Sequence, residues 1–197
     1  MRQIIYVKYN RTRSEKFQLK TAIVRENGAL SVEKTALTEA GAGHMGSFWE
    51  KYQMIREQNP RIRFLEPEFK DGGKTVCFRY LEGETLADAL ADRIHMGQIP
   101  YEELERVMAL VFPEDFSVDS GHFSIKEQTG GPFAPSQGFT EVFGPVPEGL
   151  EELGRLTAAP NVDGLFENLM ISDGHVYGID YEWVFDMEIP AKFLHYR

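Results

Sequence analysis

The sequence runs to 197 residues and 22.5 kDa, with 42% hydrophobic and 26% charged residues, enough apolar material to bury a core and too much for a disordered or fibrous chain. A formal charge of -10, from 31 acidic against 21 basic residues, sets an average field that repels nucleic acid and anionic membrane alike, so neither is an expected partner. No apolar run reaches the ~20 residues that span a bilayer, and MRQIIYVKYNRTRSEKF returns to charge before a signal-peptide apolar segment is complete, so the expected location is cytoplasmic.

Alternation of apolar and polar residues predicts strands at IIYVKY, FQLKTAIV and ALSVEKTAL, with a turn at Glu26-Asn27-Gly28, together an antiparallel meander. Thr38 is placed to cap a helix, and Met45, Phe48, Tyr52 and Ile55 recur at helical spacing, which predicts one amphipathic helix over 39–58 ending at Asn59-Pro60. RIRFLEPEF and KTVCFRYL, around a DGG turn, predict two further strands; TLADALADRI and YEELERVMALVF predict two helices, the first capped by a threonine. The stretch from Pro113 to Pro147 has no sustained period, but Phe116, Phe123, Phe133, Phe139 and Phe143 are too many for a solvated linker, so it is expected to pack. A short helix at GLEELGRL precedes a loop, strand LMIS, a turn at Asp173-Gly174, and strand HVYGIDYEW. Cys77, the single cysteine, lies in TVCFRYL and reads as a buried, inert thiol.

The order is five strands with one inserted helix, then helices, then a loop and hairpin, which predicts an α+β protein of two lobes with a cleft between them: a β-rich lobe over 1–82 and a reduced helical lobe over 83–197.

The loop and hairpin carry the chemistry. NVDGLFENLMISDGHVYGIDYEW offers Asp163, Asn168 and, one hairpin later, Asp180: short oxygen side chains from the two ends of a hairpin, the kind of set that holds divalent metal beside a phosphate and aims a hydroxyl at it. Asp and Asn are also common turn residues that cap loops. Asp180 directly follows the apolar Ile179, and a carboxylate leaving a buried strand generally has a partner. His44, His95, His122, His175 and His195 show no ligand spacing, which argues against zinc.

An Asp, four residues, an Asn, and then an Asp across a hairpin resembles the catalytic loop and metal-binding element of the protein-kinase-like fold, in particular aminoglycoside phosphotransferases and lipopolysaccharide-core sugar kinases. The resemblance implies that Asp163 accepts the proton of an acceptor hydroxyl and that Asn168 and Asp180 hold one or two magnesium ions bridging the phosphates of ATP. It implies for Lys34, on the third strand in SVEKTAL, an ammonium facing nucleotide phosphates; its neighbours on the same side, Val32 and Ala36, favour an inward lysine, against a solvated strand lysine as the alternative. Glu50 is the candidate ion-pair partner of Lys34, with Glu39 as rival, but neither lies cleanly on the apolar stripe, which favours a solvated helix charge for each. CFRYLEGETLADAL is similar to a kinase hinge, in which backbone near Arg79, Tyr80 and Leu81 holds the adenine edge and Gly83 lets the chain turn; an ordinary strand-to-helix turn fits the same residues.

The sequence departs from that pattern at several places. No G-x-G-x-x-G follows the first strand, so phosphate-cradling N–H groups would come from another turn such as RENGAL. Asn161 and Val162 precede Asp163 in place of the His-Arg of the kinase loop, Asp180 opens DYEW, and only 17 residues follow it. A very small member, a piece of a longer chain and a degenerate relative that no longer transfers phosphate all fit these departures. KTALTEAGAGH, FRYLEGETL and the ending IDYEWVFDMEIPAKFLHYR look like the kinase-like module of bacterial glycosyltransferases and methyltransferases that build surface polysaccharides. That resemblance implies packing roles for Trp183, Phe185, Ile189 and Pro190. The expected function is ATP- and Mg²⁺-dependent phosphotransfer to a sugar or other small hydroxyl acceptor. The alternative is a catalytically silent interaction or regulatory module beside a glycosyltransferase partner.

Overall fold

A computed structural model of the chain describes residues 1–98, 100–112, 115–126, 133–146, 156–157 and 161–195. The fold is α+β, and the chain divides into two compact units: residues 1–54 with 64–83, and residues 55–63 with 84–197.

The first unit is built on a five-stranded antiparallel sheet of β1 (Arg2–Asn10), β2 (Leu19–Glu26), β3 (Ala29–Ala36), β5 (Glu68–Lys70) and β6 (Thr75–Arg79), in the order β1-β2-β3-β6-β5. The expected meander is therefore present. The β2–β3 turn is two residues, Asn27 and Gly28, both at positive φ, the conformation that matches the twist of a tight hairpin. The fifth strand is shorter than RIRFLEPEF predicts. Pro67 cannot donate to a ladder, so the stretch splits into β4 (Arg63–Phe64) and β5.

The expected single helix over 39–58 is also divided, into a 3₁₀ turn (Glu39–Gly41), α1 (Ala42–Gly46) and α2 (Phe48–Gln58). The Thr38 hydroxyl accepts from the Gly41 amide as a cap, and the Ser47 hydroxyl donates to the His44 carbonyl at 2.8 Å at the break. The apolar stripe survives: Met45, Phe48, Tyr52 and Ile55 are all buried, and the Phe48 ring lies 5.9 Å from that of Phe78 on β6.

In the second unit, β11 (Leu169–Ser172) and β12 (His175–Gly178) form the expected hairpin, turning through Asp173 and Gly174, both at positive φ. β11 also pairs with β7 (Glu84–Thr85), which leads into α3 (Leu86–His95). Thr85 caps that helix by accepting from the Asp88 amide at 3.0 Å. Asn59 closes the end of α4 (Tyr101–Val111), its Nδ2 donating to the carbonyls of Leu110 and Val111.

The aromatic-rich middle packs, as its composition predicts. β8 (Phe116–Asp119) and β9 (His122–Ile125) form a hairpin in which Phe116 and Phe123 stack at 5.5 Å. α5 (Gln137–Phe143) joins Phe133, Val162, Trp183, Phe185 and Ile189 in one apolar cluster. Ile189 and Pro190 form β13, which pairs with β10 (Leu156–Thr157) ahead of α6 (Ala191–His195). The helix expected at GLEELGRL lies outside the described residues except for Leu156, which opens β10.

Candidate functional site

The strand expected at HVYGIDYEW stops at Gly178, and the reason defines the site. From Ile179 onward the chain leaves the hairpin ladder and bonds to the loop that precedes it. The Ile179 amide donates to the Asn168 carbonyl at 2.9 Å, Val162 donates to the Trp183 carbonyl at 3.1 Å, and Asn161 bridges to Val184. Residues 161–168 and 179–184 are thus laced together as two parts of one structure.

Side-chain amides complete the lacing. Asn161 accepts from the Asp163 amide through Oδ1 at 3.2 Å and donates through Nδ2 to the Asp180 carbonyl at 3.2 Å, so one residue fixes the backbone of both acids. Asn168 donates through Nδ2 to the Asp163 carbonyl at 2.8 Å. A carbonyl can only accept, so this bond settles which way the amide points and leaves Oδ1 as the atom that can ligate. The Glu182 amide donates to Asp180 Oδ1 at 3.3 Å. Asp163, Asn168 and Asp180, separate in sequence, are therefore joined by hydrogen bonds within the second unit, each partly buried.

This donor set can be tested against magnesium. The described residues contain no cluster of three His, Cys, Asp or Glu side chains placed to hold a metal. Magnesium does not need one: it takes one or two carboxylates at a protein site and fills its other positions with water and phosphate oxygens. One carboxylate, Asp180, and the amide oxygen of Asn168 are of the chemistry such a site uses, with water and phosphate oxygens for its other positions.

Lys34 belongs to the first unit. Strand register places it opposite Thr21 and Val76, with Ile23, Val32 and Phe78 one step along on the same face. It is only 5% exposed, so it is an inward lysine and not a solvated one. Its sequence neighbour Glu33 is buried on the opposite face and holds Arg2 and Lys70. The two acids expected to steady Lys34 do not sit as buried braces: Glu50 is exposed near the start of α2, and the exposed Glu39 holds Lys74 at 2.6 Å. A charge at the start of a helix faces water unless the apolar stripe includes it, and neither acid lies on that stripe.

At the expected hinge, Arg79 ends β6 and the Tyr80 amide is committed to the Leu30 carbonyl at 3.3 Å. Leu81, the first residue beyond the ladder, is buried, and Gly83 has a φ of 153°, which favours glycine. The turn in RENGAL, proposed above as a phosphate cradle, is closed by the Glu26–Ala29 pair and spans two residues, too tight to wrap a phosphate.

No protein-family model and no curated protein matches the sequence. Solved structures with a similar fold include the apoenzyme of macrolide 2'-phosphotransferase MphH from Brachybacterium faecium, at a TM-score of 0.41 and 8% identity, covering 90% of this chain and 66% of that one. At those values the likeness decides neither family nor activity. None of the comparisons includes a polysaccharide-building enzyme among its named proteins.

The sequence alone did not single out Asn161 or Glu182. Asn161 was noted only as standing in for a histidine, yet its amide ties Asp163 to Asp180. Its position two residues before Asp163 was the available signal, since an Asn two residues ahead of an amide forms the local side-chain turn seen here. Glu182 is 2% exposed, and a buried carboxylate following a candidate metal ligand marks a position that packing alone does not explain.

Proposed function

We propose that the chain is a kinase-like protein that binds a magnesium nucleotide and transfers a phosphoryl group from ATP to a hydroxyl of a sugar or other small molecule. The observation that supports the reading is the fixed amide of Asn168: its nitrogen is bound to the Asp163 backbone, which leaves its oxygen as the atom that can ligate, in a loop whose Asn161 also holds the Asp180 carbonyl. In this assignment Asn168 Oδ1 and the Asp180 carboxylate would hold the metal, which would supply charge neutralisation for the phosphates. Asp163 orients the acceptor hydroxyl and takes its proton. The buried Lys34 supplies an ammonium for the phosphates, and backbone around Arg79, Tyr80 and Leu81 takes the adenine edge. Positioning and charge neutralisation then supply most of the acceleration.

The test is ADP release from ATP and Mg²⁺ with a panel of sugar alcohols and amino sugars as acceptors. Loss of a general base costs about 10²–10⁴-fold in rate, so Asp163→Ala is expected to lose turnover by that factor while still binding nucleotide. Turnover unchanged in Asp163→Ala refutes the role given to it.

A second reading has one observation in its favour. Tyr181, Glu182 and Val184 are buried, so the stretch after Asp180 is packed in place where an active kinase carries a mobile loop. A catalytically silent module, acting as a regulatory partner of a polysaccharide glycosyltransferase, would bind nucleotide or none and show no ADP release with any acceptor.

A further inference from the structure

The outer strand of the first sheet carries a surface that phosphotransfer does not use. Among the described residues β1 is the terminal strand of its sheet and pairs only with β2, so one row of its backbone N–H and C=O groups has no ladder partner there. Its side chains are as open as its backbone. Ile4, Ile5, Tyr6, Val7 and Tyr9 are all between 40% and 50% exposed. Proteins usually blunt such edges with proline, with short strands or with inward charges. β1 has nine residues and no proline; it carries two charges, Arg2, which is held by Glu33, and Lys8, and a bulge at Ile5, where the register steps from Ile4 to Tyr6. The bulge leaves Tyr6–Asn10 as an uninterrupted open run of five residues, the length of an ordinary strand.

The charge around this run is unlike that of the rest of the chain. Residues 1–25 hold seven Lys or Arg (2, 8, 11, 13, 16, 20 and 25) and one acid, Glu15, a balance of +6; with a total of -10, the other residues sum to -16. Lys8, Arg11 and Lys16 are exposed, and the Arg11 guanidinium lies 4.9 Å over the Tyr9 ring.

We propose that the Tyr6–Asn10 edge of β1 is a docking site for an extended peptide segment of alternating apolar and acidic residues, which adds to the sheet as a sixth strand. The open backbone supplies the ladder, as in other strand-addition complexes. Val7 and Tyr9 give apolar contacts, and Lys8 with Arg11 selects for acid. Charge argues against a second copy of this chain in the same place, because β1 has no acidic residue and a copy of it would offer Lys8 and the neighbouring Arg11 no acid to meet. A nucleic acid strand or a membrane offers no backbone groups for the ladder. The surface stands whether or not the chain handles nucleotide.

The probe is a capped, fluorescently labelled decapeptide alternating valine and glutamate, followed by anisotropy at low and moderate salt. Saturable 1:1 binding is expected, weakened at least tenfold by Lys8→Glu and by N-methylation of alternate peptide amides. The matching valine–lysine peptide should bind Lys8→Glu better than the parent. Lys8 sits on an exposed edge, and an unchanged unfolding midpoint confirms that the Lys8→Glu variant is folded. Equal binding of the acidic peptide to the parent and to folded Lys8→Glu overturns the proposal, as does no binding at millimolar peptide. Concentration-dependent self-association that Ile5→Lys abolishes assigns the edge to a second copy and equally overturns it. Binding to anionic phosphatidylserine vesicles without binding to the peptide does the same for a membrane.

Discussion

The sheet of the first unit and the loop around Asp163 hold their candidate side chains by different means. Lys34 is positioned by a backbone ladder, with β2 on one side and β6 on the other. Asp163, Asn168 and Asp180 lie where there is almost no ladder, and the amides of Asn161 and Asn168 do the holding. A ladder spreads its burden over many bonds of about 1 kcal/mol each. The loop concentrates it in a few, so single substitutions should be felt there far more than in the sheet.

Asn161→Ala puts the sharpest strain on that contrast. It removes two side-chain bonds and strands the Asp163 amide and Asp180 carbonyl, each partly buried, which should cost about 1–3 kcal/mol. Urea unfolding is the check, and a loss below about 0.5 kcal/mol would show that the loop does not depend on Asn161 as described. Lys34→Met tests the other region. The strands should still form, seen by far-UV circular dichroism, while nucleotide affinity falls about tenfold or more, equivalent to about 1.4 kcal/mol. Affinity unchanged in calorimetry would remove Lys34 from the site. The smallest effect belongs to Cys77 on β6. Burial pushes its thiol up, with the Lys70 ammonium pulling it partly back. A thiol raised in the folded state adds stability that is complete below its unfolded pKa and is lost as pH rises from there through the folded value. The parent should therefore lose stability slightly faster than Cys77→Ala as pH climbs past the ordinary thiol range, and parallel curves would contradict the assigned shift.

What was legible in the sequence follows the same division. Strands β1, β2, β3 and β6, the α2 stripe and the Thr85 cap all announce themselves by period or by capping chemistry, which are local signals. The failures are also local in cause: Pro67 divides one predicted strand, and Ser47 with its neighbouring glycines divides one predicted helix. Asp163, Asn168 and Asp180 stood out as candidates because their spacing resembles a known arrangement. Their connections did not, since the bonds from Asn161 to Asp180 and from Val162 to Trp183 span about twenty residues and carry no periodic trace. The exposure of Glu50 was legible in part, because the residue lies off the apolar stripe of its helix.

The most direct test of the central claim is thermal unfolding with millimolar ATP, with and without Mg²⁺, of the parent and of Asp180→Ala. A ligand that binds only the folded state raises its stability by mass action. The account predicts a magnesium-dependent rise in Tm for the parent that Asp180→Ala loses. No rise in the parent, or a rise that Asp180→Ala retains in full, would contradict it.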